Sequence, residues 1–255
     1  MPGDHDLPSQ FYTGLISELY EPLAGEVSRA DDYVPFLERS GTPALELACG
    51  SGLPMLDLLE RGFDVEGLDA STDMLELCRS RAADRGLTPT LHLAEMQSFQ
   101  LPTQFRSIFL AGASFTLLTT DEDAENTLER IYEHLGPGGH VLIPLEVEDA
   151  DEIRTQLGRR RETVDSTGNR LRVSMLELDV HSEGRNSALR LRYDRIPPSG
   201  EPVSVERVWE RRSWNQDQFR ELVLAAHFDE LRFLTPTGGL ADPDASAFVA
   251  LARKK

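Results

Sequence analysis

Cysteine is almost missing from this chain: Cys49 and Cys78 are the only two in 255 residues. They form no C-x-x-C pair, and two are too few for a disulfide framework. Lysine is as scarce, with Lys254 and Lys255 alone, so every other base is arginine; we read this as coding bias rather than function. Positive charge is in deficit, with 26 Lys+Arg against 44 Asp+Glu and a net charge of −18. Such a surface repels phosphate backbones and anionic lipid head groups, which argues against nucleic acid or a membrane surface as partner. Nucleotide cofactors stay open, because backbone N–H groups can hold them without basic side chains. No apolar run approaches the ~18 residues of a membrane span, and no charged start followed by an apolar core suggests a signal peptide. The expectation is a cytoplasmic protein. His92, His134, His140 and His181 are scattered, with no H-x-x-x-H or carboxylate–His cluster, so no metal site is expected.

Apolar residues are not lacking: at 40% they support one well-buried α/β domain with room for a small insert. Residues 1–10 look frayed. Leu15, Ile16, Leu19, Tyr33, Phe36 and Leu37 carry helical spacing through residues 11–39. Up to about residue 150, strand-like runs at Ala44–Ala48, Phe63–Leu68, Leu91–Ala94, Ser107–Ala111 and Val141–Leu145 alternate with helical stretches. Ser71 is placed to cap one of those helices. Gly136-Pro137-Gly138-Gly139 reads as a hard turn. Alternation of this kind predicts a doubly wound, mostly parallel sheet with helices on both faces. The rhythm then changes. Arg170–Val180, Ala188–Arg195 and Val203–Arg212 alternate apolar and polar residues, separated by Ser182–Asn186 and Pro197–Gly200, as an antiparallel meander does. Helical spacing returns at Asn215–Phe228, followed by short strands at Leu231–Leu234 and Ala247–Leu251. The expected divisions are an N-terminal helical segment at 1–40 covering the active site, a core at 41–150, the antiparallel insert at 151–213 as lid or dimer contact, and the rest of the core at 214–255.

The most informative segment is Glu46-Leu47-Ala48-Cys49-Gly50-Ser51-Gly52, between the first strand and the next helix. Glycines there allow close backbone approach to a ligand, at the strand end where open α/β sheets bind nucleotides. Asp69 ends the second strand, where a carboxylate can accept from both hydroxyls of a ribose; an N-cap role competes, and Ser71 is better placed for that. The dinucleotide fingerprint G-x-G-x-x-G is met at Gly50 and Gly52 but has Met55 in its third position, which favours a cofactor without phosphates over NAD.

On these residues the sequence resembles the class I S-adenosylmethionine (SAM)-dependent methyltransferases. ELACGSG is similar to their first motif, VEGLDASTDMLELCRSRA to their second strand and following helix, LHLAEMQSFQL to the segment that brackets adenine, and IFLAGASFTLLTT with LERIYEHLGPGGHVLIPL to their fourth and fifth strands. The resemblance implies a Rossmann-like, seven-stranded sheet. It implies that the backbone of Ala48, Gly50, Ser51 and Gly52 lines the methionine part of SAM, with Glu46 near its amino group. Asp69 would take the ribose, Ala70 and Met74 would lie beside the adenine, and Glu95, Met96 and Gln97 would cover its other side and edge. Ala111 would face the sulfonium, and Tyr20, in ISELYEPLA, would close over the methionine end. Ala48 departs from the pattern, where many members have Gly, as does His227 near a helix end. The meander resembles that of sugar-amine N,N-dimethyltransferases and glycine/sarcosine-type N-methyltransferases, which implies a small-molecule amine acceptor and a monomer or homodimer.

Displacing a methyl group from a sulfonium needs mostly alignment. A neutral amine needs only to be deprotonated and desolvated, whereas a hydroxyl usually wants a base or metal. Acceptor-side candidates are Ser114 and Phe115 after the fourth strand and Glu146 after the fifth. Glu146 and Tyr20 are the candidates for a catalytic role, although Glu146 also reads as one solvated carboxylate among many, and Glu148 follows it. Trp209, with Trp214 and Tyr193, could wall the acceptor, against the commoner use of such aromatics in a core. Cys49 reads as a small buried hydrophobe. The Arg159–Arg161 run reads as a solvated helix face. An O-methyltransferase, a non-catalytic SAM-binding protein and, less well supported, an NAD-dependent oxidoreductase are the competing readings.

Overall fold

The computed structural model describes residues 11–24, 28–181 and 185–255. The polar stretch 1–10 and the meander turn residues Ser182, Glu183 and Gly184 lie outside them. In chain order the first elements are α1 (Leu15–Ala24), α2 (Ala30–Ser40), β1 (Ala44–Leu47), α3 (Met55–Glu60), β2 (Val65–Asp69), α4 (Thr72–Asp84), β3 (Leu91–Leu93), β4 (Phe105–Leu110), α5 (Asp121–His134) and β5 (Leu135–Glu146). They are followed by α6 (Ala150–Gln156), β6 (Arg160–Val164), β7 (Arg170–His181), β8 (Asn186–Ile196), β9 (Val203–Arg212), α7 (Gln216–Ala225), β10 (Glu230–Leu234) and β11 (Ala247–Arg253). The chain forms two compact units: Met1–Val27 with Glu148–Arg212, and Ser28–Val147 with Ser213–Lys255.

The larger unit holds a seven-stranded sheet in the order β10-β11-β5-β4-β1-β2-β3. Its pairings are parallel except around β11, which runs antiparallel to β10 and β5. The order reverses between β1 and β4, so the carboxyl ends of those two strands border the crevice where open α/β sheets bind ligands. The doubly wound, mostly parallel fold expected from the alternation is therefore present. All four residues of β1 are buried, as a central parallel strand with both faces covered must be. One face packs Leu128, Ile131, Trp214, Phe219 and Phe248; the other packs Tyr33, Phe36, Leu56 and Cys78. The helix start read at Ser71 holds, whereas the 11–39 stretch is two helices and the 215–228 stretch ends at Ala225. Ser71 Oγ accepts from Met74 N–H at the head of α4, and Asn215 and Gln218 form a reciprocal capping box at α7. His227 stands at φ +68° just past α7, the left-handed position that glycine favours.

The glycine turn at 136–139 differs from expectation. β5 starts at Leu135 and runs through it. Phe105 faces Leu135, but Ser107 faces His140, so residues 136–139 bulge out of the register. The bulge is tight: a Cβ on Gly139 would lie 2.9 Å from Gly136 O and 3.1 Å from Arg106 O. Lys254 stitches it, its N–H donating to Gly139 O and its carbonyl accepting from Gly138 N–H. The Lys254 ammonium donates to Tyr132 O and Leu135 O, closing the end of α5 as a cation at a helix C-terminus does.

The smaller unit contains the four-stranded antiparallel sheet β6-β7-β8-β9, one strand more than the expected meander. Arg160 and Arg161 lie on the added edge strand, not on a solvated helix face, because α6 ends at Gln156 and Gly158 turns the chain at φ +78°. Arg161 Nη1 donates to Leu23 O at 2.8 Å. Helix α1 belongs here: Ile16, Leu19 and Leu23 pack with Leu171, Leu189, Leu191 and Tyr193. Helix α2 instead joins the other unit through Tyr33, Phe36 and Leu37. The division expected at residue 40 thus falls between 27 and 28.

Candidate functional site

The carboxyl edge of β1 and β2 collects most of the residues singled out from sequence. Beyond β1 the backbone is left-handed at Ala48 (φ +54°), Gly50 (+54°) and Gly52 (+95°). Alanine adopts such a φ only at a cost, and such strain gathers where chain geometry serves a site. Packing tightens the bend further: a Cβ on Gly52 would meet Cys78 Sγ at 2.7 Å and Leu56 Cγ at 2.8 Å. A Cβ on Gly50 would lie 3.2 Å from the Met74 methyl.

Asp69 holds this bend. Its Oδ2 accepts from Gly50 N–H and its Oδ1 from Ser71 N–H, both at 2.8 Å. Burial raises its carboxyl above the ordinary value, and the N–H groups of Ser71, Gly50 and Ala70 pull the other way. With three N–H groups on it, the carboxylate still has room to accept from a further donor. Ala94 N–H donates to Asp69 O at 3.1 Å, which ties the segment leading to Glu95, Met96 and Gln97 to the end of β2. Gln97 Nε2 donates to Glu95 Oε2 at 2.7 Å, so those two side chains act together.

Glu46 is the exception in the core. It is wholly buried in β1, and neither Oε1 nor Oε2 has a hydrogen-bond partner among the described residues. Desolvation, and then the charge of Asp69, push its carboxyl well above the ordinary value. A buried polar group without a partner is costly and calls for an explanation. Cys49 is buried with its thiol raised, which fits the small hydrophobe expected there.

Ala111 follows β4, whose Leu110 pairs with Leu47 of β1, so it stands at the same edge. Phe115 belongs to the core instead of an acceptor wall: it is fully buried, with its ring 5.2 Å from Phe219 and 6.3 Å from Trp214. Trp214 is buried beside it. Ser114 is half-buried in the same short turn, and Glu146, at the end of β5, is exposed and faces Ala247. Tyr20 and Trp209 stand in the other unit. Tyr20 packs edge-on to Tyr12 at 5.1 Å; Trp209 stacks on Phe11 at 6.0 Å and carries the Arg211 guanidinium 4.6 Å from its ring centre. Tyr193 is buried there too. Glu148 is also there, ion-paired to Arg211 at 2.6 Å and accepting from Ser187 Oγ. Among the described residues no group of three or more His, Cys, Asp or Glu could hold a metal ion.

Two contributors were missed. Arg81 Nη1 donates to Ser51 Oγ at 3.1 Å, although the two are 30 residues apart. Tyr33, read only as a core position, donates its hydroxyl to Ser28 Oγ at 3.4 Å. Burial raises that hydroxyl to about 12, and it also feels the charge of Glu46. No local pattern marks either residue.

Residues 44–139, which span β1, the left-handed bend, Asp69 and the bulge, match the methyltransferase-domain family. That match covers well under half of the chain. A dTDP-3-amino-3,4,6-trideoxy-α-D-glucopyranose N,N-dimethyltransferase of Streptomyces venezuelae is 31% identical over 141 residues, covering 55% of this chain and 56% of that protein. A glycine/sarcosine N-methyltransferase of Halorhodospira halochloris is 30% identical over 119 residues, 46% and 44% of the two chains. The chain thus spans about half the length of the curated relatives it matches. In fold, the whole chain is similar to an S-adenosylmethionine-dependent methyltransferase of Clostridium acetobutylicum. The TM-score is 0.75 at 13% identity, with 93% of this chain and 97% of that one covered. The matched residues thus supply β1 to β4 and the start of β5 in the Rossmann-like sheet. No helix among the described residues is long and apolar enough to cross a membrane.

Proposed function

We propose that this protein is an S-adenosylmethionine-dependent N-methyltransferase that acts on a small-molecule amine, with an amino sugar as the preferred acceptor class. The carrying observation is Glu46: a fully buried carboxyl with no partner among the described residues, at the strand end whose backbone bend is held by Asp69. An orphan carboxyl in the interior fits a ligand that brings a cation to it. The residues suit an adenosyl amino acid: Glu46 for the ammonium, the backbone of the 48–52 bend for the methionine part, Asp69 for the ribose, and Met74 with Glu95, Met96 and Gln97 for the base. Bound there, S-adenosylmethionine would supply a methyl group on a sulfonium, transferred as the acceptor nitrogen's lone pair forms the N–C bond and the C–S electron pair stays with sulfur. The chain's own part is to orient and exclude water. Glu46 and Asp69 fix the two ends of the donor, and Ala111 closes the strand-four side. Glu146 is the candidate to take the proton that leaves the nitrogen. Tyr20, Ser114 and Trp209 remain candidates for contacts with donor and acceptor.

Two further supports are the family match over residues 44–139 and the amine substrates in the names of the sugar and glycine/sarcosine relatives. The small-molecule acceptor, a cytoplasmic setting and a monomeric or homodimeric state go with this reading. The test has two steps. S-adenosylmethionine should raise the melting temperature and NAD should not; amino-sugar nucleotides should then accept methyl groups, read as S-adenosylhomocysteine formed. Donor binding without turnover across a panel of amines and phenols would leave only a SAM-binding protein, and turnover of phenols alone would move the reaction to oxygen.

A further inference from the structure

Glu46 carries a consequence beyond contact with the donor. Its side chain is sealed inside the parallel sheet, between Gly67 of β2 and Phe109 of β4 in the strand register. The charge that reaches it is that of Asp69 at the end of β2, and its own charge would reach Tyr33 on α2, Cys49 in the bend and Cys78 on α4. Every one is neutral or negative, and among the described residues it makes no ion pair or hydrogen bond. A lone carboxylate without a cation is far costlier in such a place than a neutral carboxyl.

We infer that Glu46 is the charge selector of the donor site: it holds a proton while no cation is present and releases it to solvent when a ligand ammonium is seated against it. This rests on the donor reading above. The step balances as carboxyl plus ammonium going to a carboxylate–ammonium pair plus one free proton, with the O–H bond broken and its electron pair left on the oxygen. It follows that donor affinity is coupled to pH. Kd falls by up to about tenfold per pH unit while Glu46 titrates. The measurements belong below the α-amino range near 7.7–8.0, where the ligand itself stays charged. Because the demethylated product keeps the ammonium, Glu46 grips donor and product alike. Such uniform binding lowers KM without raising kcat.

Isothermal titration calorimetry in buffers of different ionisation enthalpy counts released protons directly. S-adenosylmethionine and S-adenosylhomocysteine should each release close to one proton from the wild-type protein. 5′-Methylthioadenosine, which has the adenosine and sulfur but no ammonium, should release none and show a flat Kd against pH. In Glu46→Gln the release should vanish and Kd for the two amino-acid ligands should rise at least tenfold. An unchanged Kd for 5′-methylthioadenosine keeps the folded site in view. In turnover the variant should raise KM and leave kcat unchanged. If both amino-acid ligands bind the wild type without proton release, or Glu46→Gln binds them as tightly, this inference is overturned and the donor reading stands. Release with the sulfonium ligand but not with S-adenosylhomocysteine overturns the ammonium as the selected group. Failure of all three ligands to bind removes the donor reading and this inference together.

Discussion

Replacing Gly52 by alanine tests how tightly the bend is built. At φ +95° an L-residue meets left-handed strain of about 1–2 kcal/mol. The new Cβ would also stand 2.7 Å from Cys78 Sγ, 2.8 Å from Leu56 Cγ and 2.9 Å from Leu56 Cδ1. Cys78 and Leu56 are fully buried, so neither can swing into solvent, and overpacking of this kind costs about 1–3 kcal/mol. The loss of unfolded-chain freedom returns about 0.4–1 kcal/mol. The net destabilisation is about 1–4 kcal/mol, which for a unit of this size lowers the melting temperature by roughly 2–16 °C. Chemical denaturation gives the free energy and scanning calorimetry the temperature. The Cys78→Ala background separates the two costs: removing the thiol should recover part of the packing penalty and none of the strain, giving a coupling of about 0.5–3 kcal/mol in the double-mutant cycle. A Gly52→Ala protein melting within about 1 °C of wild type, or a cycle without coupling, would refute the close seating of the bend on α4.

Three further outcomes are expected. Glu46 and Asp69 both have raised carboxyls when folded, so the unfolded chain ionises first and ligand-free stability falls as pH rises above the ordinary carboxylate range. Glu46→Gln should therefore melt close to wild type near pH 4 and above it at neutral pH; a constant difference across that range would rule out the buried titration. Arg211→Ala leaves the Glu148 carboxylate, 13% exposed as a side chain, without its 2.6 Å partner, and should destabilise the protein by about 3 kcal/mol, the low end for broken buried pairs. Equilibrium unfolding that shows less than about 0.5 kcal/mol, the range of ordinary surface changes, would contradict the burial. Ala48→Gly relieves a left-handed alanine at φ +54° and should stabilise by up to about 1 kcal/mol, strain less the added chain entropy; destabilisation in the same assay would mean the alanine is unstrained.

Much of the fold was legible because it rests on short-range chemistry. The alternation of strands and helices, the Ser71 cap and the antiparallel meander all follow from periodicity and from which residues cap or turn a chain. The elements read wrongly are those whose state depends on a distant neighbour. The 136–139 glycines look like a turn until Lys254, more than a hundred residues on, stitches them into β5. Arg160 and Arg161 look like a helix face until β7 offers a strand to pair with. Phe115, which follows a strand as an acceptor wall would, is drawn into the core by Trp214 and Phe219.

The candidate site divides in the same way. The sequence alone determined that a glycine bend follows β1 and that a carboxylate ends β2, because both are written in contiguous residues. Tertiary structure alone decided that Gly50 N–H binds Asp69, that Arg81 reaches Ser51, that α1 and α2 join different units, and that Glu46 is sealed from water with no partner among the described residues. Residue type and spacing set what a side chain can do. Its charge state depends on desolvation and on every dipole around it, and those are brought together only when strands far apart in the chain close over one another.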